Sequence, residues 1–249
     1  MEFLRGFLGN DSFFGRLMYR LGVVVITNIL FVLCSIPVVT VGASLSGMYY
    51  VCLKARRNKF QGDVRIFRTF FKGFKDNFVQ ATIGWLVMLV FAVALLLEIS
   101  WCNQFPAPVR YFKYGLIGLL VLDAIAFMYY FPAISAFSGT LKQQAMNTAF
   151  FAFSRPHYLL VVAALHVVPV AASYINLQFL PLAAFLWALG GFGLVTLLCS
   201  FFHLRQYAPF LSELDAAGDP VSEDELDDEL MMQDESEEKT LAEMRKFGL

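Results

Sequence analysis

Charge is scarce in this chain: Asp, Glu, Lys and Arg together make up 16% of its 249 residues, against roughly 25% in a soluble domain. Apolar residues fill the gap, at 58% of the total with 27 phenylalanines among them, and the mean hydropathy is +0.62. So much apolar surface excludes a disordered chain, which stays unfolded only when it has little to bury. It also excludes an ordinary water-soluble domain and leaves a multi-span membrane protein.

Reactive groups are scarce too. The three histidines, His157, His166 and His203, lie far apart and form no HExxH pair, which removes a zinc hydrolase. None of Cys34, Cys52, Cys102 and Cys199 sits in a CxxC, and three lie in apolar runs where a cysteine is expected to act as a small buried hydrophobe. Ser46 precedes Gly47 but lacks the earlier glycine of a serine-nucleophile turn. Gly190, Gly191 and Gly193 lack the preceding strand and the following Lys-Ser or Lys-Thr of a phosphate loop. Glu98 is expected to pair with Arg110 or Lys113 in solvent. No catalytic set, metal or cofactor is expected, nor a nucleic-acid partner, and the chain does not read as an enzyme.

What the chain has in abundance is apolar runs, at Leu21 to Val41, Phe78 to Leu97, Phe112 to Ala136, Tyr158 to Ser173 and Leu180 to Phe202. Each approaches the roughly 20 residues that a helix needs to cross a bilayer. A sixth segment, Val38 to Leu53, has only 16 residues between Pro37 and Lys54; a helix of that length reaches about 24 Å, short of a hydrocarbon core of about 30 Å. Charge decides what length does not. If the short segment spans and the amino terminus is cytoplasmic, Arg5, Arg16, Arg20, the eight basic residues from Lys54 to Lys75, Lys142, Arg155 and Arg205 all fall inside. Only Arg110 and Lys113 fall outside, as the excess of Lys and Arg on the cytoplasmic side demands. The expectation is an all-α bundle of about six transmembrane helices, with both termini cytoplasmic and Trp101 to Tyr111 and Tyr174 to Phe179 external. The first span is expected to remain as an anchor, not to be cleaved.

The net charge of -1 conceals a segregation. Residues 1–210 hold 16 basic against 6 acidic side chains, a balance of +10, and residues 211–249 hold 14 acids against Lys239, Arg245 and Lys246, a balance of -11. The division is therefore a transmembrane domain, 1–210, and an acidic cytoplasmic tail, 211–249. Within the tail, Ser222 with Glu225 and Thr240 with Glu243 have capping-box spacing, which predicts two short helices. The tail either docks on the basic loops or acts as a solubilising segment.

Between the second and third spans, Phe67, Phe70, Phe71, Phe74 and Phe78 recur on one helical face, while Arg65, Arg68, Lys72 and Lys75 recur on another. The pattern predicts a helix in the inner headgroup layer, aromatic side down and basic side toward anionic lipid headgroups, or the same helix packed on the protein's own spans. A fainter echo, Phe150, Phe151 and Phe153 before Arg155, precedes the fifth span. On the short span, Gly42 with Ser46 and Ala43 with Gly47 form small-xxx-small pairs, which let another helix approach closely. Polar residues are expensive at the membrane centre. Asn28 lies midway along the first span, Asp123 lies 12 residues beyond Tyr111, and His166 lies nine beyond His157. The three are expected at similar depth, facing the bundle interior, as interhelical glue or as a site that holds a substrate or relays a proton.

The stretch TNILFVLCSIPVVTVGASLSGMYYVCLKARR, then IFRTFFKGFKDNFVQATIGWLV, resembles the amino-terminal signature of the YesL family of bacterial integral membrane proteins. YYFPAISAFSGTLKQQAMNTAFFAF is similar to that family's fourth span and following segment, so the likeness covers roughly Phe3 to Phe210. SIPVVTVGAS is its most specific part. The resemblance implies a multi-pass protein of the bacterial inner membrane whose activity is unassigned. Because members tend to be encoded beside sugar-uptake systems, it also implies a link to carbohydrate import. Two functions are then open: an accessory protein assembled with a sugar-importer permease or another membrane complex, or a transporter with its own site at Asn28, Asp123 and His166. The acidic tail departs from the family pattern.

Overall fold

The computed structural model describes residues 13–58, 65–106, 109–174 and 180–216, and all of their regular structure is helical. Six helical segments are long and apolar enough to cross a membrane: Leu17–Cys34, Val38–Arg57, Phe78–Cys102, Arg110–Ala136, Pro156–Tyr174 and Leu180–Leu211. The first span lies in α1 (Phe13–Cys34). The second is a 3-10 turn, Val38–Thr40, running directly into α2 (Val41–Arg57). The short α3 (Ile66–Asp76) then leads through Asn77 into α4 (Phe78–Cys102). Next come α5 (Lys113–Ala136), a second short helix α6 (Leu141–Ser154) and α7 (Pro156–Tyr174). The last span is built from α8 (Leu180–Leu186), a π-helical turn (Trp187–Gly191) and α9 (Phe192–Ala216). The chain forms two compact units, Met1–Gln206 and Tyr207–Leu249; of the second, residues 207–216 are described and helical. The capping boxes expected in the acidic tail lie outside the described residues.

The ambiguous second span is long enough after all, because the helix does not stop at Lys54. It continues through Arg57, and the 3-10 turn extends it backward, giving 20 residues and about 30 Å. Polar groups anchor the leading turn: Thr40 Oγ1 donates to the carbonyls of Cys34 (2.6 Å) and Pro37 (2.8 Å). The Trp85 indole donates to Val38 O at 2.8 Å. Trailing arginines extend a span at small cost because their long side chains reach back to polar surroundings.

This second span is the axis of the bundle. Two thirds of it (67%) is buried, against 6% for the spans in α4 and α7. Lipid tails are as apolar as leucine, so helices in a bilayer gain little by hiding leucine and gain more by close contact. The run Gly42, Ala43, Ser44, Leu45, Ser46, Gly47 supplies that contact and is wholly buried. At Gly42 the absent Cβ makes room for the Ala81 carbonyl oxygen of α4, and at Gly47 for the Phe70 carbonyl oxygen of α3. Ser46 Oγ reaches Gly73 O of α3 (3.3 Å) and Ser135 Oγ of α5 (3.2 Å), while Ser135 donates to Ser46 O at 3.0 Å.

The chain's most basic stretch defines one membrane face, called the basic face below. There α2 ends in Lys54, Arg56 and Arg57, and α3 carries Arg68, Lys72 and Lys75, with Arg65 just before it. The α3 helix divides its aromatic residues. Phe70 is fully buried on α2, and Gly73 lies against Tyr50 with room for no side chain, whereas Phe67 and Phe71 are exposed. The sequence places all five phenylalanines on one broad face; the structure turns its Phe70 edge inward and leaves Phe67 and Phe71 outward. The α6 helix returns to this face after α5, opened by a Thr140 to Gln143 capping box and tied to the start of α4 by Gln80 Nε2 donating to Gly139 O at 2.7 Å. Its Met146, Phe150 and Phe153 are exposed. At the opposite face the expected Glu98 ion pair is not formed: Lys113 donates to Asn103 Oδ1 (3.1 Å) and Arg110 to Phe105 O (3.3 Å), nearer partners in the same connection.

Candidate functional site

The fully buried Asn28 of α1 has its amide directed at the one irregular place in the last span. Its Nδ2 donates to Trp187 O (3.1 Å) and Ala188 O (2.6 Å), and its Oδ1 accepts from Gly193 N (2.9 Å). A π-turn leaves carbonyls out of the usual i to i+4 ladder. In a bilayer interior no water is present to receive them, so a side chain must. Gly193 permits the approach, since a Cβ there would stand 2.6 Å from Val24 O. Gly190, Gly191 and Gly193 thus form or flank a locally rewound helix held by Asn28.

His166 and Asp123 have other neighbours. His166 Nδ1 lies 2.9 Å from Val162 O in its own helix and 3.7 Å from Cys199 Sγ of α9. Asp123 shares its face of α5 with Phe127 and Tyr130, four and seven residues on, and both of these turn to α4. Phe127 packs on Trp85 with ring centres 6.0 Å apart, and the Tyr130 hydroxyl donates to Gln80 O at 2.9 Å. Asp123 is half-buried, and among the described residues no hydrogen bond joins it to His166 or Asn28. Of the three residues expected at one depth, Asn28 meets the π-turn and His166 meets Cys199.

A different polar set lies along one buried face of the last span. Along α9, Thr196, Ser200, His203 and Gln206 recur at intervals of four, three and three, and all are buried. His203 is fully enclosed, with the rings of Tyr129 (centres 5.0 Å, 90°) and Tyr49 (6.1 Å, 78°) edge-on to it. Gln206 Nε2 donates to Phe151 O of α6 at 3.4 Å. Arg56 Nη2 donates to Leu197 O (2.7 Å), and its guanidinium lies 5.2 Å from the Phe201 ring, which Arg205 also covers at 4.2 Å. The stripe ties α2, α5 and α6 to the last span. Its signal was present in the sequence as four polar residues at helical spacing in an apolar run.

The chemistry open to these groups is limited. Among the described residues no cluster of three or more His, Cys, Asp or Glu side chains has the spacing of a metal site. The four cysteines are free, and Cys199, the one that meets a histidine, is fully buried. The short span itself, with Gly42, Ala43, Ser46 and Gly47, packs against α3, α4 and α5.

Residues 24–99 match the family described as protein of unknown function, DUF624. The matched part runs from α1 to the end of α4, and so takes in the small-residue axis, α3 and Asn28. No curated protein and no solved structure matches the chain. The chain is thus a multi-pass, all-helical membrane protein of unassigned activity whose first three spans carry the family likeness.

Proposed function

We propose that the protein is an accessory component of a membrane complex, linked to carbohydrate uptake and seated in the bacterial inner membrane with its basic face cytoplasmic. The observation that carries this reading is the closure of the polar groups at the centre. Asn28 gives its amide wholly to the last span, and Ser46 with Ser135 joins α2 to α5, which leaves these side chains as glue for a scaffold. The exposed aromatics of α3 and α6 on the basic face supply contact area for the bilayer surface or for a permease. The carbohydrate link rests on the resemblance to the YesL family. Purification of the tagged chain from native membranes in mild detergent is expected to bring down a sugar permease in fixed ratio, and a deletion strain should grow poorly on selected oligosaccharides. Sugar flux through the purified chain alone in liposomes would overturn the reading.

One observation favours the second reading, a transporter. The buried stripe Thr196, Ser200, His203, Gln206 occupies one face of the last span inside the bundle, as the lining of a polar pathway would. Substrate-driven flux abolished by His203→Leu would establish it.

The proposed orientation has its own check. Single cysteines at Asn58 and Gln104, both exposed, in a cysteine-free background are expected to differ on intact cells. An impermeant thiol reagent should label position 104 and spare position 58 until the cells are opened. Labelling of 58 alone would invert the topology.

A further inference from the structure

Between α4, α5 and α6 lies a cavity of about 420 Å³ whose walls are formed by side chains such as Ile83, Val87, Leu122, Ala126, Ala145 and Ala149. That volume falls within the range of small-molecule sites, roughly 300–1,000 Å³. Two polar groups on its walls are already engaged: the Tyr130 hydroxyl on Gln80 O (2.9 Å) and Thr148 Oγ1 on Gln144 O (2.8 Å). An apolar cavity of this kind does not hold water and accepts an apolar guest. It opens sideways to the bilayer, since Val87, Leu122 and Phe153 are 63%, 50% and 59% exposed.

The depth of the cavity identifies the guest. Its lining runs from Ile83 to Met88 on α4 and from Leu122 to Tyr130 on α5, about 8 and 12 Å at 1.5 Å per residue. Half of a hydrocarbon core is about 15 Å. The groove is therefore one leaflet deep, too short to seat a spanning helix of a partner and suited to an acyl chain. It lies in the leaflet of the basic face, with α6 along it. The exposed Lys142 precedes Ala145 and Ala149 by three and seven residues and so projects from the same face of α6. Among the described residues it makes no hydrogen bond or ion pair. An ammonium at the edge of an apolar slot is complementary to a phosphodiester carried by an acyl chain.

We propose that this groove is a binding site for one anionic phospholipid of the basic-face leaflet, an acyl chain between α4, α5 and α6 and the phosphate on Lys142. The site goes beyond the accessory function and stands whether or not that function is correct. Native mass spectrometry of the full chain in mild detergent tests it, with phosphatidylglycerol, phosphatidylcholine and free oleate as probes. The wild type should retain one phosphatidylglycerol per chain in preference to the other two. Ala149→Trp, which fills the groove, should abolish that retention. Lys142→Gln should weaken it about fivefold, and Val168→Trp, on an exposed position of α7, should leave it unchanged. Thermal melting separates a filled groove from a misfolded chain, and the exposed Lys142 variant reads out the headgroup contact without touching the core. Retention in Ala149→Trp equal to wild type, equal retention of phosphatidylcholine or oleate, or indifference to Lys142→Gln would each overturn the proposal.

Discussion

Replacing Gly42 with leucine is expected to destroy the folded bundle. A Cβ alone at this position would collide with the Ala81 carbonyl oxygen and stand 2.6 Å from Trp85 Cβ. Both belong to the α4 side of the closest helix crossing on the central span, and a backbone carbonyl cannot rotate aside as a side-chain tip can. The only relief is to part α2 from α4. Parting them also breaks the Trp85 to Val38 hydrogen bond that holds the leading turn of the same span. Overpacking at a yielding site costs about 1–3 kcal/mol; here no yielding atom is present and the loss should exceed about 4 kcal/mol. The measurement is the fraction of folded monomer that survives heating in detergent, and Gly42→Leu should yield little folded material at any temperature. Gly22→Ala and Gly118→Ala are the controls. Nothing lies within 4 Å of a Cβ at either position, so both should be neutral or gain up to about 1 kcal/mol from lower chain entropy in the unfolded state. A Gly42→Leu protein that melts within a few degrees of wild type would show that α2 and α4 do not meet there.

Asn28→Leu is the second large effect. The substitution nearly preserves volume but removes one acceptor and both donors, stranding Trp187 O, Ala188 O and Gly193 N away from water. Interhelical hydrogen bonds in membranes are worth about 0.6 kcal/mol each and at most about 1.7, so three give roughly 2–5 kcal/mol. Loss should also appear locally, as faster amide exchange across 187–193, because the π-turn has no other described side-chain partner for those groups. Asn28→Asp keeps the acceptor for Gly193 but sets a second oxygen against two carbonyls, and should be no more stable than the leucine variant. Unchanged melting and unchanged exchange in Asn28→Leu would mean that the last span keeps its irregular turn without help.

The amino-acid order carries the depth of each residue in the bilayer but not the direction in which it points. Depth is legible because the rise of a helix is constant, so counting from Tyr111 or His157 puts Asp123 and His166 near the middle. Direction is illegible because an apolar helix in lipid has no wet side to contrast with a dry one; α5 and α7 carry almost no amphipathic signal, and their inner faces are set by their neighbours. So Phe127 and Tyr130 of α5 turn toward α4, while His166 turns toward Cys199. Where a helix lies at the membrane surface the contrast returns. The α3 helix was therefore legible from its phenylalanine and basic faces, although the inward turn of Phe70 depended on the glycine waiting at position 47.

The sequence alone determined that this is a membrane protein, how many spans it has, which face is basic, and that the short second span would be a place of close approach. Composition and helical rise suffice for the first three, and the fourth follows because small residues in lipid have no better use than contact. Only the tertiary structure decided that the second span is the axis, that Asn28 belongs to a π-turn 159 residues away, and that His203 sits between two tyrosines. Each depends on which helix stands beside which. In a bilayer, where every helix is apolar all round, that is settled by the fit of small residues against carbonyls and by where a polar side chain finds its partner.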